Sequence, residues 1–268
     1  MLKRIIAGAF AALIVVGCGG GSNTSGDASI YAINANPDIG SITITANGTV
    51  VLNTAAYNTT SSSAVTVSSG TGASVFLTNG SNTQLASGTF TFTGGDYYAL
   101  YAIGNGTSQY IINAPIDVSP PTSITVATPG RLIFTNASVT TVAVDVYVAP
   151  SSTVVLTGLQ PVIFSLTPFN SGFPAEVNVA PNTYNIFFCA SGTQTILATT
   201  SATVTSNTIQ LLGVTDIAPA STTTSPTQAA ITPISINPVT GALPPSSTAK
   251  TQVIVGHNAH ALDLRGLK

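Results

Sequence analysis

Charge is what this sequence has least of. Only 5% of its 268 residues are charged, with six Lys or Arg and eight Asp or Glu, and there are two histidines, two cysteines and no tryptophan. Helices exposed to water normally clothe their outer faces in Glu, Lys and Arg, and here the only glutamate is Glu176. Helical architectures are thereby disfavoured, and an all-β fold is expected. So few basic residues leave nothing to neutralise a phosphate backbone, which argues against nucleic acid as a partner. Cys189 lies in the apolar run Ile186-Phe187-Phe188-Cys189-Ala190 and reads as a buried thiol acting as a small hydrophobe. No histidine occurs between Cys18 and Gly256, so a Ser-His-Asp or Cys-His arrangement would need His257 or His260 to fold back from the C-terminal end. His257, His260 and Asp263 form too weak a set to assign a metal, and no phosphate-cradling, dinucleotide or calcium-loop motif is present. The expectation is a protein without catalytic residues, cofactor or metal.

What is abundant is Thr, Ser, Val and Ala, in short runs broken by Gly, Asn, Pro and Ser clusters. Strands are expected near Ser29–Asn34, Ser41–Thr45, Thr49–Leu52, Ala64–Ser68, Ser74–Thr78, Thr89–Thr93, Tyr97–Ile103 and Tyr110–Asn113. Ile42 and Ile44 alternate with Thr43 and Thr45, and Phe90 and Phe92 with their threonines, which predicts one dry and one wet face per strand.

The N-terminus is of another kind. Lys3-Arg4 precede an apolar run from Ile5 to Val16, too short to span a bilayer, followed by Val15-Val16-Gly17-Cys18. This resembles a bacterial lipoprotein signal, which implies cleavage after residue 17, lipid on Cys18 and attachment to a membrane. Gly19, where an Asp would retain a Gram-negative lipoprotein at the inner membrane, implies an outer-membrane address. Gly19 to Gly26 then form a flexible tether. Without the signal, four basic residues face eight acidic ones, a formal balance of about −4.

The second half echoes the first. Asn34-Ala35 is matched by Asn136-Ala137, Thr49-Val50-Val51-Leu52 by Thr153-Val154-Val155-Leu156, and Leu85-Ala86 by Leu197-Ala198. Order and spacing suggest two tandem copies of one sandwich. Leu132-Ile133-Phe134-Thr135-Asn136-Ala137-Ser138 followed by Val144-Asp145-Val146-Tyr147-Val148, and Ala32-Ile33-Asn34-Ala35-Asn36-Pro37-Asp38 before it, resemble tandem repeats of the domain of unknown function 4397. The resemblance extends over Ala28 to Asp216. It implies a sandwich fold and an envelope location, and carries no catalytic residues. Thr43 stands where the second copy has Asp145, so a role requiring that carboxylate would be absent from the first.

The resulting expectation is all-β, with two tandem antiparallel, immunoglobulin-like β-sandwiches. Residues 1–17 are the signal, 18–27 the lipidated cysteine and tether, 28–118 the first sandwich and 131–216 the second. Ser119-Pro120-Pro121-Thr122 lie between them, and 217–250 is read as an extended linker because residues 217–249 hold six prolines and no charge. In the tail, 251–268, Thr251–Val255 reads as one further strand on a sandwich edge, with a disordered end as the alternative. Asp38 and Asp96 read as turn residues, and no two carboxylates cluster as a glycosidase requires. Asp145 reads as a solvated or turn-stabilising acid on a polar strand face. Tyr97 and Tyr101, sharing a face with Ala99, are the candidate stacking platform for a glycan, with filling of a sandwich as the alternative. Tyr97, Tyr101 and Asp145 are therefore the candidate ligand contacts. The membrane, through Cys18, and surface proteins or glycans are the candidate partners. The functional expectation is a lipid-anchored structural or interaction protein, with a glycan- or peptide-binding module as the alternative and an exported hydrolase as a distant one.

Overall fold

The computed structural model describes residues 26–105, 108–118, 123, 128–139, 143–153, 155–168, 175–216 and 231–239. The expected signal, Cys18, most of the tether, Ser119–Thr122, the Thr251–Val255 strand, both histidines and the rest of the tail lie outside the described residues. Within them the chain is all strand and loop, with no helix.

The strands are β1 (Asp27–Asn34), β2 (Ser41–Ala46), β3 (Thr49–Ala56), β4 (Thr59–Thr60), β5 (Val65–Ser68), β6 (Gly70–Asn79), β7 (Gln84–Phe92), β8 (Tyr97–Asn105) and β9 (Ser108–Ile116). They continue as β10 (Gly130–Asn136), β11 (Val144–Pro150), β12 (Ile163–Leu166), β13 (Ala175–Val179), β14 (Asn182–Ala190), β15 (Ile196–Val204), β16 (Ile209–Asp216) and β17 (Ile231–Val239). All eight runs expected in the first half fall on strands. The one missed, β4, has two residues, too few for any pattern to show.

Four sheets result. Sheet I has the order β3-β2-β6-β7, and sheet II has β4-β1-β8-β9 with β5 also paired to β1. Sheet III has the order β13-β10-β16-β17, and sheet IV has β12-β11-β14-β15. The pairing pattern of β1–β9 thus returns in β10–β17, with β13 in the place of β4 and β5. Most pairs are antiparallel, but the central pair of sheet II, β1 with β8, is parallel, as is that of sheet III, β10 with β16.

The sheets stack in the order I, II, III, IV, each interface filled by apolar side chains. Ile30, Ile42, Ile44, Leu77, Phe92 and Leu100 lie between I and II, and Leu132, Phe134, Val146, Phe188 and Val214 between III and IV. Between II and III lie Tyr31, Ile33, Tyr101, Ile103, Ile112, Ile133, Ile209 and Leu211. The expectation of one wet face per strand holds in sheet I, where Ile42, Ile44 and Ala46 are buried and Ser41, Thr43 and Thr45 are not. It fails in sheets II and III, which pack back to back. β10 is buried at all seven positions, and β1 and β16 at all but two and one of their eight. A strand covered on both faces reads as a continuous apolar run, as Tyr97–Ile103 and Leu132–Phe134 do.

The extended linker expected over 217–250 is corrected in part, because β17 pairs antiparallel with β16 along the edge of sheet III. Pro233 and Pro238, which suggested a linker, are tolerated because an edge strand needs only half of its backbone N–H groups for pairing. The repeated Thr-Val-Val-Leu is also corrected. Thr49–Leu52 opens β3 and buries Val51 and Leu52 in the core between I and II. Leu156 instead covers the outer face of sheet IV, ahead of β12. In a chain this rich in Thr and Val, identical tetrapeptides arise by composition, whereas Leu85-Ala86 and Leu197-Ala198 lie in β7 and β15, corresponding edges.

Candidate functional site

The chemistry-bearing side chains collect at two places: on sheet IV around Asp145, and at the seam between sheets II and III.

Asp145 lies on β11 opposite Cys189 of β14 and is only 4% exposed. Oδ1 accepts from the backbone N–H of Ser165 at 2.7 Å and the hydroxyl of Ser191 at 3.1 Å, and Oδ2 accepts from the N–H of Gly192 at 2.8 Å. One carboxylate thus ties the bulge of β12 to the β14–β15 turn. The turn-stabilising expectation for Asp145 is met and the solvated one is not, because Tyr147, Leu156, Phe187 and Cys189 cover this part of the sheet. Ser165 needs the tie, since its φ is +53°, a left-handed conformation that costs an L-residue about 1–2 kcal/mol.

The first half solves the same problem with a hydroxyl. Thr54 in β3 has φ +43°, and its N–H is accepted by Oγ1 of Thr43 at 3.1 Å. Thr43 therefore takes over part of the role that the sequence comparison had reserved for a carboxylate. The remainder, holding the hairpin turn, falls to Asn79, whose Oδ1 accepts from the N–H groups of Ser81 and Thr83 at 3.0 and 2.9 Å. Burial, with a smaller contribution from Asp145, pushes the Cys189 thiol up to about 11, so it stays protonated and unreactive at neutral pH.

The repeated asparagines are structural too. Asn34 accepts from Asn36 N–H at 3.0 Å and donates through Nδ2 to the carbonyl of Ala55 at 2.9 Å. Asn136 accepts from Ser138 N–H at 3.2 Å and donates to Leu166 O at 3.1 Å. Each closes the turn after its strand and stitches that strand to the facing sheet, satisfying backbone groups that burial would otherwise orphan.

At the seam, Tyr97 and Tyr101 do share a face with Ala99, but that face packs against sheet III. Tyr101 is 2% exposed and its hydroxyl donates to Oγ1 of Thr135 at 3.3 Å. The expected ligand platform is therefore corrected at Tyr101, whose ring fills an interface between sheets, while Tyr97 packs at the border of the same cluster. Thr215 Oγ1 donates to Ala35 O at 2.5 Å, and the Tyr57 hydroxyl to Asp216 O. The Asp216 carboxylate in turn receives the Ser138 hydroxyl and the Val139 N–H.

Sequence reasoning passed over Arg131, the central polar residue of this seam. Though it lies on β10, it is 4% exposed. Its Nη1 lies 2.9 Å from Oδ2 of Asp117 and also donates to Asp117 O at 2.8 Å, and its Nε donates to Asn178 Oδ1 at 3.2 Å. Arg131 thereby fastens the chain leaving β9 to sheet III. The available signal was its isolation, as the only basic residue between Arg4 and Lys250.

Glu176 on β13 completes this group. Its Oε2 lies 3.8 Å from Nε of Arg131, is buried and accepts no hydrogen bond among the described residues. Desolvation raises its pKa, Arg131 opposes this and Asp117 reinforces it. A carboxyl whose pKa is raised on folding contributes stability below its unfolded value, and that contribution is lost as pH rises through the folded one. Glu176→Gln is therefore expected to raise the melting temperature at pH 8 and leave it unchanged near pH 3.5, as scanning calorimetry at the two pH values would show.

Residues 28–147 match the model of a domain of unknown function, DUF4397. The match opens in β1 and closes in β11. No curated protein matches the sequence. A solved structure concerned with alpha-glucan recognition by family 41 carbohydrate-binding modules from streptococcal virulence factors is 9% identical over 65% of this chain and 88% of that one, with a TM-score of 0.19.

Proposed function

We propose that the chain is a lipid-anchored, non-catalytic protein of the bacterial envelope, built of two tandem copies of the DUF4397 sandwich and serving a structural or interaction role. The observation that carries this reading is the back-to-back packing of sheets II and III, into which the chain invests Tyr101, Arg131, Asp117, Thr215 and Asp216. Asp145, the other candidate for chemistry, is committed to the bulge and turn it holds. Side chains so engaged build a rigid body for display. Lipid on Cys18 fixes one end of that body to the outer membrane, and the glycine tether gives it about 15–20 Å of reach. The repeated sheet order and the pairs Asn34/Asn136 and Thr43/Asp145 support the tandem copies.

The test is fractionation and antibody labelling of cells expressing the chain. The expected outcome is a membrane-bound product carrying labelled palmitate, with Cys18→Ser soluble and unlabelled. Membrane attachment unchanged in Cys18→Ser overturns the anchor, and turnover of a glycoside or ester by the purified chain overturns the non-catalytic role. Labelling of intact cells places the display at the surface, whereas labelling only after permeabilisation places it facing the periplasm.

A further inference from the structure

A sheet edge offers unpaired N–H and C=O groups to any strand that comes alongside, and folded proteins discourage this with short edge strands, prolines, bulges or charge. Six edge positions in this molecule use such devices. In sheet II, β4 and β5 have two and four residues, and β9 carries Pro115. In sheet III, β13 has five residues and bears Glu176, and β17 carries Pro233 and Pro238. In sheet I, β3 is broken by two register shifts and the left-handed Thr54. In sheet IV, β12 has four residues, a register shift and the left-handed Ser165.

Two edges differ. β7, Gln84–Phe92, and β15, Ile196–Val204, have nine residues each, with neither proline nor charge. The register shifts beside them, two for β7 and one for β15, fall outside regular stretches that run from Phe90 to Ala86 and from Val204 to Ala198, whereas those of β3 fall in its middle. They hold corresponding positions in the two halves, at the first and last layers of the stack. No charged residue occurs anywhere in sheet I, and sheet IV has one, the buried Asp145.

We infer that β7 and β15 are docking edges for a second copy of this chain, by edge-to-edge strand pairing. The partner is chosen by charge and by pattern. A charged strand would set an unpaired charge against a neutral edge, whereas these two strands meet each other without one. Ser87, Thr89 and Thr91 of β7 are exposed, as are Thr199, Ser201 and Thr203 of β15. Hydroxyl rows therefore meet across the junction, and cross-strand Thr and Ser pairs are favourable. Phe90 and Phe92, like Ala198, Ala202 and Val204, turn towards the cores, so each sheet continues with its apolar face inward. With two such edges per copy, open among the described residues, a β7 to β15 contact leaves one of each at the two ends and propagates, and like-to-like contacts propagate if both edges are used.

The experiment is sedimentation velocity on the chain from Gly19 to Lys268, a soluble form that needs no anchor, so its result is independent of the lipid. The expected result is concentration-dependent association at micromolar levels. Thr89→Lys combined with Ser201→Lys should weaken it roughly tenfold or more, while Thr89→Ser leaves it unchanged. Circular dichroism verifies that the lysine variant is folded. Thr89→Cys combined with Ser201→Cys should give disulfide-linked species of two or more copies on oxidation. A monomer at every concentration, association indifferent to the two lysines, or chemical crosslinks from these edges to residues 251–255 of the same copy would overturn the inference.

Discussion

Arg131→Met is expected to destabilise the fold by about 3 kcal/mol, removing a buried cation from between Asp117 and Asn178. Methionine keeps the length of the stem as far as Nε, so the loss is chiefly that of the guanidinium: Asp117 O, Asp117 Oδ2 and Asn178 Oδ1 all lose the donor that Arg131 supplies. Asp117 is 28% exposed, so water recovers part of the cost and the value stays at the low end for a broken buried pair. In thermal unfolding this corresponds to a melting temperature lower by roughly 6–12 °C. Arg131→Lys should recover little, because an ammonium cannot span both sides of the seam as a planar guanidinium does. Equal stability of Arg131→Met and the parent would show that the seam is held by its apolar contacts alone.

Replacing Asp145 by alanine is expected to cost about 2–3 kcal/mol, since a buried carboxylate that accepts three hydrogen bonds is lost, while water reaches the exposed Ser165 and Gly192 and recovers part of the cost. Asp145→Asn keeps one acceptor oxygen but turns an NH₂ towards a donor, so it should fall between alanine and the parent. Thr43→Val, at the corresponding but more exposed position, should cost only about 1 kcal/mol. Urea unfolding ranks the three, and hydrogen exchange at Ser165 and Gly192 should quicken selectively in the Asp145 variants. If Thr43→Val proved as damaging as Asp145→Ala, the two side chains would not share a role in proportion to their bonds.

The outer strands could be read from the sequence because Ile42-Thr43-Ile44-Thr45 records one dry and one wet face in its own alternation. The inner strands could be located but not understood. Tyr97–Ile103 is visibly a strand, yet nothing in it tells whether its second face meets a ligand or another sheet. That distinction decides the meaning of Tyr101, and it depends on residues far along the chain, Thr135 and Leu211 among them. Proline misled in the opposite direction at β17, where an edge position removes the usual objection to it. Asp145 could be read only as far as its residue type, because its partners lie 20 and 47 residues downstream.

The parallel pairs at the centre of sheets II and III also set the order in which the molecule is made. Ser29 waits for Tyr97 and Arg131 for Ile209, so a central, largely buried strand of each half is synthesised first and receives its principal neighbour late. No early hairpin can nucleate either sheet on its own, and closing such long loops makes folding slow. Sheets I and IV can start from local hairpins, β2 with β3 and β14 with β15, whereas the centres of sheets II and III close only when nearly the whole of each unit is available.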